Sequence, residues 1–223
     1  MKKFLALILL CSCFLTACGN GGKSEPDISE TEVPSVADGE VGEIIIPDEN
    51  DKDYDLGKYR YSPSGTKLYF NDDDYPKELI LTLEKYFIAF AENDFETYKS
   101  CLSPDYIDEM SAYLEENYNY GLETSFDNQR KGLSEKMNGD FRITRLRAEK
   151  TTESSDETIE EYFSALNDFF GKDFYSEIKD NADGFYHMTF YVMAENTEKT
   201  ESLLINEYEI VFAEKDGLYY TFG

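Results

Sequence analysis

The chain divides into two parts of different composition, and this division decides which part can fold. Residues 19–56 are rich in Glu, Asp, Ser, Gly and Pro and contain a single aromatic residue, Tyr54. From Tyr59 onward, aromatic residues are frequent. Folding needs buried apolar surface to offset the conformational entropy that is lost, and the first part has too little of it. We therefore predict a disordered acidic tether over residues 18–57 and one folded domain over residues 58–223.

The first seventeen residues predict an export signal. Lys2 and Lys3 precede an apolar run that ends at Leu15 and is shorter than the roughly 20 residues of a membrane-spanning helix. The run closes on Leu-Thr-Ala-Cys, and this ending resembles the lipobox of bacterial lipoproteins. The resemblance implies cleavage before Cys18 and a diacylglyceryl group on its thiol. We expect residues 1–17 to be a removable signal peptide and Cys18 to anchor the protein at the outer face of the cell membrane; the alternative is an ordinary secretory signal.

Cysteine usage indicates a domain that folds without a disulfide. Cys11 and Cys13 leave with the signal, and lipidation of Cys18 leaves Cys101 as the one free thiol. A domain of about 165 residues can bury roughly 70% of its unfolded surface without such a bond. Free cysteine is among the most buried residue types, so we predict that Cys101 is a core residue.

The charge of the mature chain restricts its partners. Removal of the signal takes away Lys2 and Lys3 and leaves 19 basic residues against 47 acidic ones, a net charge of −28. Such a polyanion repels phosphate backbones and anionic headgroups, so we expect no nucleic-acid partner. Attachment to the membrane must then come from the lipid on Cys18, because a basic surface is lacking and two or more acyl chains give a stable anchor.

Hydrophobic periodicity predicts helices followed mainly by strands. Leu79, Leu83 and Phe90 recur at helical spacing after Pro76, which favours a helix start. Ser62–Gly65 separates two short aromatic arms and suits a hairpin. The other predicted elements are, in chain order, a possible edge strand at Ile44–Pro47, a helix over 76–92, a short helix after Asn93-Asp94, a helix from Ser103-Pro104, a polar helix within 119–138, a strand after Gly139, a helix over about 157–170, and strands over 185–195, 202–214 and 217–222.

Two segments resemble nuclear-transport-factor-2-like domains, which belong with SnoaL, ketosteroid-isomerase-like and cystatin-like proteins. Residues 84–98 resemble the opening of these domains, where a long helix meets a short one through a junction such as Asn93-Asp94. Residues 211–220 are similar to their final hairpin. The resemblance implies an α+β fold in which a curved, mainly antiparallel sheet wraps around N-terminal helices to form a cone. Lipid-anchored bacterial proteins with such a domain exist, and many have no assigned activity.

Aromatic residues are the candidates for a ligand pocket inside the cone. Tyrosine offers a broad apolar face and one hydroxyl, which suits an apolar or sugar-like ligand. The same rings can instead fill the cone as its core, and the sequence leaves both interpretations open. The candidate pocket residues are Tyr86, Tyr98, Tyr113, Tyr186, Tyr208 and Phe212.

Three arginines are the candidates for binding an anion. Arg142, Arg145 and Arg147 are dense for so acidic a chain, and the guanidinium fork fits a carboxylate or a phosphate. Glu207 and Glu209 have the same two-residue spacing as Arg145 and Arg147, so cross-strand charge pairs explain the arginines equally well.

No cofactor or metal is expected. His187 is the only histidine, lies off the more apolar face of its strand and is predicted at the surface or rim. One histidine and one thiol cannot supply a zinc site. The alternating aspartates of Asp51–Asp55 resemble the start of a calcium loop, but Leu56 occupies the position that needs glycine and Ser62 replaces the closing glutamate. A solvated acidic linker explains these aspartates better.

The sequence contains no recognisable catalytic set, although tyrosines and carboxylates abound. We therefore expect a membrane-anchored extracytoplasmic lipoprotein whose domain binds without catalysis, either a small apolar ligand or an envelope protein. The alternative is an isomerase or dehydratase that uses the cone as its pocket, with a carboxylate base and hydroxyl donors.

Overall fold

The structure, a computed structural model, describes residues 39–150 and 155–223. The predicted signal peptide, Cys18 and the first part of the predicted tether lie outside the described residues. Among the helices of the described ranges, none is both long and apolar enough to cross a membrane.

One sheet forms the centre of the fold. Its strands lie in the order in which they occur in the sequence, and neighbours are antiparallel except for the second and third, which are parallel. Register shifts interrupt the pairing of the longest strands, and such irregularities increase the local bend. The sheet is accordingly curled into a half-barrel, and the predicted α+β class with a curved, mainly antiparallel sheet is confirmed. The strands are β1 (Arg60–Tyr61), β2 (Lys67–Tyr69), β3 (Phe141–Glu149), β4 (Gly184–Asn196), β5 (Glu201–Lys215) and β6 (Leu218–Thr221).

The helices begin and end at residues with clear local roles. Asp94 accepts a hydrogen bond from the Thr97 backbone amide at 2.9 Å and so caps the second helix. Three helices end at an asparagine in the left-handed conformation, Asn93, Asn119 and Asn138, a conformation that asparagine tolerates better than most residues. The helices are α1 (Lys77–Glu92), α2 (Phe95–Ser100), α3 (Pro104–Tyr118), α4 (Leu122–Met137), α5 (Ser155–Phe170) and α6 (Phe174–Lys179).

Helix α6 was not among the predicted elements, since only strands, the first over 185–195, were predicted after the helix over about 157–170. Asp173 caps this helix by accepting a hydrogen bond from the Ser176 amide at 3.3 Å. A helix of six residues is too short to show a hydrophobic period, so tertiary packing has to stabilise it. Phe174 and Ile178 supply that packing, because both are buried.

Aromatic rings make up much of the core between the sheet and the helices. Phe87 of α1 lies 5.4 Å from Phe190 of β4, measured between ring centroids. Phe90 stacks on Phe126 of α4 at 4.9 Å. On the side of α5, Phe163 contacts Phe222 at 4.9 Å.

The acidic segment 39–57, which we call the strap, is folded back onto the edge of the sheet. Ile45 pairs with Tyr59 through two backbone hydrogen bonds of 2.7 and 3.0 Å, so an isolated antiparallel bridge stands where the edge strand was considered for Ile44–Pro47. The backbone amide of Gly42 donates to the Tyr61 carbonyl at 2.8 Å. In this part of residues 18–57 the structure differs from the predicted disorder. The reason is a set of contacts with residues far along the chain, which composition does not reveal.

Candidate functional site

The predicted pocket tyrosines lie in different surroundings. Tyr86 and Tyr98 are buried against each other, with ring centroids 5.3 Å apart. Tyr208 packs on Phe190 of the same sheet at 5.8 Å. Tyr113 instead contacts Phe169 at 4.0 Å. The rings therefore pack on protein neighbours.

The two remaining members of the predicted pocket are Tyr186 of β4 and Phe212 of β5. Phe212 is fully buried and pairs across the sheet with Tyr186. Tyr186 packs on Tyr219 at 5.7 Å and donates its hydroxyl hydrogen to Glu214 at 3.0 Å. Burial, and then the nearby Glu214, raises the pKa of Tyr186 to about 12.

Several tyrosine hydroxyls lie close together inside the core. Burial, followed by the neighbouring Tyr98, Tyr106 and Tyr208, raises the pKa of Tyr86 well above its usual value. Burial likewise raises the pKa of Tyr208, whose hydroxyl is buried and has no hydrogen-bond partner within the described residues. These phenols stay neutral at physiological pH. They can donate hydrogen bonds, but they cannot act as bases.

Glu84 is a buried carboxylate that the sequence analysis missed. It lies on α1, is 3% exposed and accepts a hydrogen bond from the Ser62 hydroxyl at 2.6 Å. Burial raises its pKa, and the hydroxyls of Ser62 and Thr66 oppose this only in part. Helical spacing could have predicted the burial of Glu84, because position 84 lies four residues after the buried Ile80 and three before the buried Phe87.

The three candidate arginines are engaged in ion pairs. Arg142 lies 3.1 Å from Glu195, and Arg147 lies 2.5 Å from Glu149. Arg145 contacts both Asp53 and Glu201. The predicted partners Glu207 and Glu209 are wrong, because the carboxylates that meet these arginines are those of Glu195, Glu149, Glu201 and Asp53. The charge pairs exist, with other glutamates and one strap aspartate.

A buried ion-pair network connects the strap to the sheet. Asp53 is 1% exposed, and its carboxylate oxygens lie 2.7 Å from Lys67 Nζ and 2.6 Å from an Arg145 guanidinium nitrogen. Burial alone raises the pKa of Asp53, but the hydrogen bond from Lys67 and the charges of Arg145 and Lys67 outweigh it and lower the pKa. The prediction of a solvated linker is thus wrong at Asp53. Lys67 and Arg145 follow it by 14 and 92 residues, a separation that no local pattern detects.

His187 also differs from its prediction, because it is buried rather than at the surface. Its Nε2 lies 3.8 Å from Glu209. Side chains alternate along a strand, so His187 shares a face of β4 with Phe185, and Phe163 of α5 packs on Phe185 at 5.4 Å. Helix α5 therefore covers the face of β4 that the sequence analysis assigned to the rim.

An open groove of about 290 Å³ lies outside the core, between the start of α3, the end of α6 and the β5–β6 hairpin. Leu218 on its wall is 58% exposed. Ser103 is 5% exposed, and its side chain makes no capping hydrogen bond to α3. Two aspartates and one lysine stand among largely apolar neighbours. The groove is lined by Ser103, Pro104, Asp105, Ile178, Asn181, Ala182, Ala213, Lys215, Asp216, Leu218 and Tyr220.

The described part of the chain contains no group of three or more His, Cys, Asp and Glu side chains arranged to hold a metal ion. Comparison of the chain with known protein families, with curated proteins and with solved structures finds no match.

Proposed function

We propose that this chain is an exported lipoprotein, anchored through Cys18, whose domain binds an envelope protein at its outer surface and performs no catalysis. We further propose that its curled sheet and helices form the cone of the nuclear-transport-factor-2-like and cystatin-like folds. The observation that carries the choice of an outer surface is the packing of the predicted pocket residues on other rings.

The interior supports this choice because its rings are close neighbours. Phe90 and Tyr98 lie 5.1 Å apart, and Tyr98 and Phe126 lie 5.0 Å apart, between centroids. Ring pairs in contact have centroids about 4.5–7 Å apart, so these contacts leave no space for a ligand between them. A ligand at this place would have to displace core rings.

The groove supports the proposal of a protein partner because it combines a concave shape with exposed apolar surface. Leu218 and the half-buried Tyr220 supply apolar contact area on the hairpin. Asp105 and Asp216 add negative charge beside them. Interfaces commonly place an apolar centre inside a polar rim, and this arrangement suits a side chain that inserts from a partner.

The proposed interaction is tested by photocrosslinking in living cells. A photoreactive residue at position 218 is expected to give a discrete adduct with an envelope protein, whereas the same residue at the exposed position 116 on α3 gives none. An anchored, folded protein without an adduct from position 218 counts against the groove. The anchor is tested separately, because Cys18→Ala should leave the membrane fraction, and its retention there would contradict lipidation.

Glu84 favours one second candidate, an isomerase or dehydratase. A base for such chemistry is a carboxylate with a pKa raised toward neutrality, and burial raises the pKa of Glu84. Against this role, Glu84 is not among the residues that line the groove, and Ser62 covers one of its oxygens. The test is turnover of an enolisable substrate. If the wild-type chain turned it over and Glu84→Gln did not, the enzyme hypothesis would replace the binding hypothesis.

A further inference from the structure

The strap places Asp53 in a site that the sheet builds by itself. We propose that Lys67, Arg145 and Tyr69 form a carboxylate-binding site, and that Asp53 is its resident ligand, supplied by a strap that can detach. This inference concerns a different surface from the groove and does not depend on the proposed function.

Two cations from adjacent strands contact Asp53, and a buried hydroxyl lies beside them. Lys67 Nζ lies 2.7 Å from one carboxylate oxygen, and an Arg145 nitrogen lies 2.6 Å from the other. The hydroxyl of Tyr69 is buried beside them, and the charge of Asp53 contributes, after burial, to raising the pKa of Tyr69. Each oxygen of the ligand thus has its own cation, which is the pattern that a planar carboxylate fits.

Two of the donors are also held by contacts with residues outside the strap. Arg145 is held from its other edge by Glu201, with Nε 3.0 Å from Oε1, and the Thr144 hydroxyl donates to the same oxygen at 2.6 Å. Lys67 Nζ lies 4.6 Å from the centre of the Tyr59 ring, in a cation–π contact. These contacts all come from residues outside the strap, so the site is preorganised.

Charge gives this site its affinity for an anion. With Asp53 in place, two cations face two carboxylates, those of Asp53 and Glu201. When Asp53 leaves, the partly buried site keeps one uncompensated positive charge. An unpaired charge with little access to water is unfavourable, and a carboxylate from another source removes that cost.

The rest of the strap is attached through few buried groups. Ile44 and Ile46 are 45% and 81% exposed, so they contribute little apolar burial. Lys52 lies 3.7 Å from Glu201, but its side chain is exposed, and exposed pairs contribute little. The anchors of the strap are the buried Pro47 and Asp53 and the core-packed Val41, together with the hydrogen bonds to β1 and its flank, one of them from the Arg60 side chain to the Gly42 carbonyl. Exchange of Asp53 for another carboxylate therefore removes the main polar anchor of the strap.

Chemical rescue tests the site with acetate as the probe. Asp53→Ala in the full chain is expected to lower the Tm, and acetate should then raise it saturably at constant ionic strength, where chloride does not. Asp55→Ala, which removes an exposed aspartate of the strap, should keep the wild-type Tm and show no acetate effect. The double variant Asp53→Ala with Lys67→Met should lose the rescue. If Asp53→Ala does not fold in chloride, the readout becomes refolding in acetate.

Hydrogen exchange of the wild-type chain tests whether the strap detaches. The amides of Gly42 and Ile45 donate to β1 and its flank and report opening of the strap, whereas amides of β4 report global unfolding. The strap amides should exchange faster than those of β4, and Asp53→Ala should accelerate them about tenfold or more, since hydrogen bonds to charged groups are lost. A folded Asp53→Ala without an acetate response, a chain that refolds in neither salt, or strap amides that exchange in step with β4 would each overturn the proposal.

Discussion

Replacing Glu84 by glutamine should stabilise the domain, and increasingly so as the pH rises. Glu84 is 3% exposed, and burial is the largest influence on its pKa, which it raises. In the unfolded chain the same carboxyl ionises near its ordinary pKa of about 4.3. Above that pH, the unfolded state releases a proton that the folded state still holds, so folding stability falls as the pH rises toward the folded-state pKa.

The magnitude follows from this linkage. Each unit by which the folded-state pKa exceeds the unfolded one lowers the stability at higher pH by about 1.4 kcal/mol. Glutamine has nearly the same shape, keeps an oxygen for the Ser62 hydroxyl and does not ionise. For a domain of this size, about 1.4 kcal/mol corresponds to a Tm change of roughly 3–6 °C.

The assay is urea unfolding of wild type and Glu84→Gln at pH 5 and pH 8, both above the sequence pI of about 4.2. The stability gain of the variant should be larger at pH 8. Glu116→Gln, at an exposed position on α3, is the control and should give a difference that does not depend on pH. A Glu84→Gln variant that loses the same stability at both pH values would refute the reasoning, because it would mean that Glu84 is charged and stabilised in the folded state.

Two further substitutions and one labelling reagent test the packing. Tyr208→Phe removes a buried hydroxyl without a partner among the described residues, so urea unfolding should show equal or higher stability, by up to about 1 kcal/mol. Leu146→Ala removes a fully buried side chain from the central strand β3 and should destabilise the domain by about 2–5 kcal/mol in the same assay. Cys101 is buried and burial raises its pKa, so a maleimide should label it in urea and not in the folded domain; rapid labelling of folded protein would contradict this.

Local signals in the sequence predicted the elements well where capping and periodicity agree. The helix predicted over 76–92 is Lys77–Glu92, and the junction Asn93-Asp94 separates it from α2. These residues specify structure through their own backbone and nearest neighbours, so the information is local. Cys101 was predicted as a core residue because free cysteine is usually buried, and it is buried.

Contacts between distant residues were not predictable in the same way. Composition assigns the strap to a solvated linker because most of its residues are acidic or small. What orders it is one aspartate that meets cations on β2 and β3, and those strands are brought together by the helices between them. The predicted ionic partners of Arg145 failed for a related reason. The register of β3, β4 and β5 brings the start of β5, with Glu201, near Arg145, and the spacing of charges does not reveal that register.

Asp53 and Glu84 show how little burial alone says about a carboxylate. Both are almost inaccessible to water, yet the pKa of Asp53 is lowered and that of Glu84 is raised. The difference lies in what faces them, because Asp53 meets two cations while Glu84 meets only hydroxyl groups. The stabilisation from Asp53 is present above its unfolded pKa of about 3.9 and is lost only as the pH falls below that value, whereas the penalty from Glu84 grows as the pH rises from about 4.3. Mild acid should therefore remove the stability penalty of the buried Glu84 while the strap stays bound, and only stronger acid should release the strap.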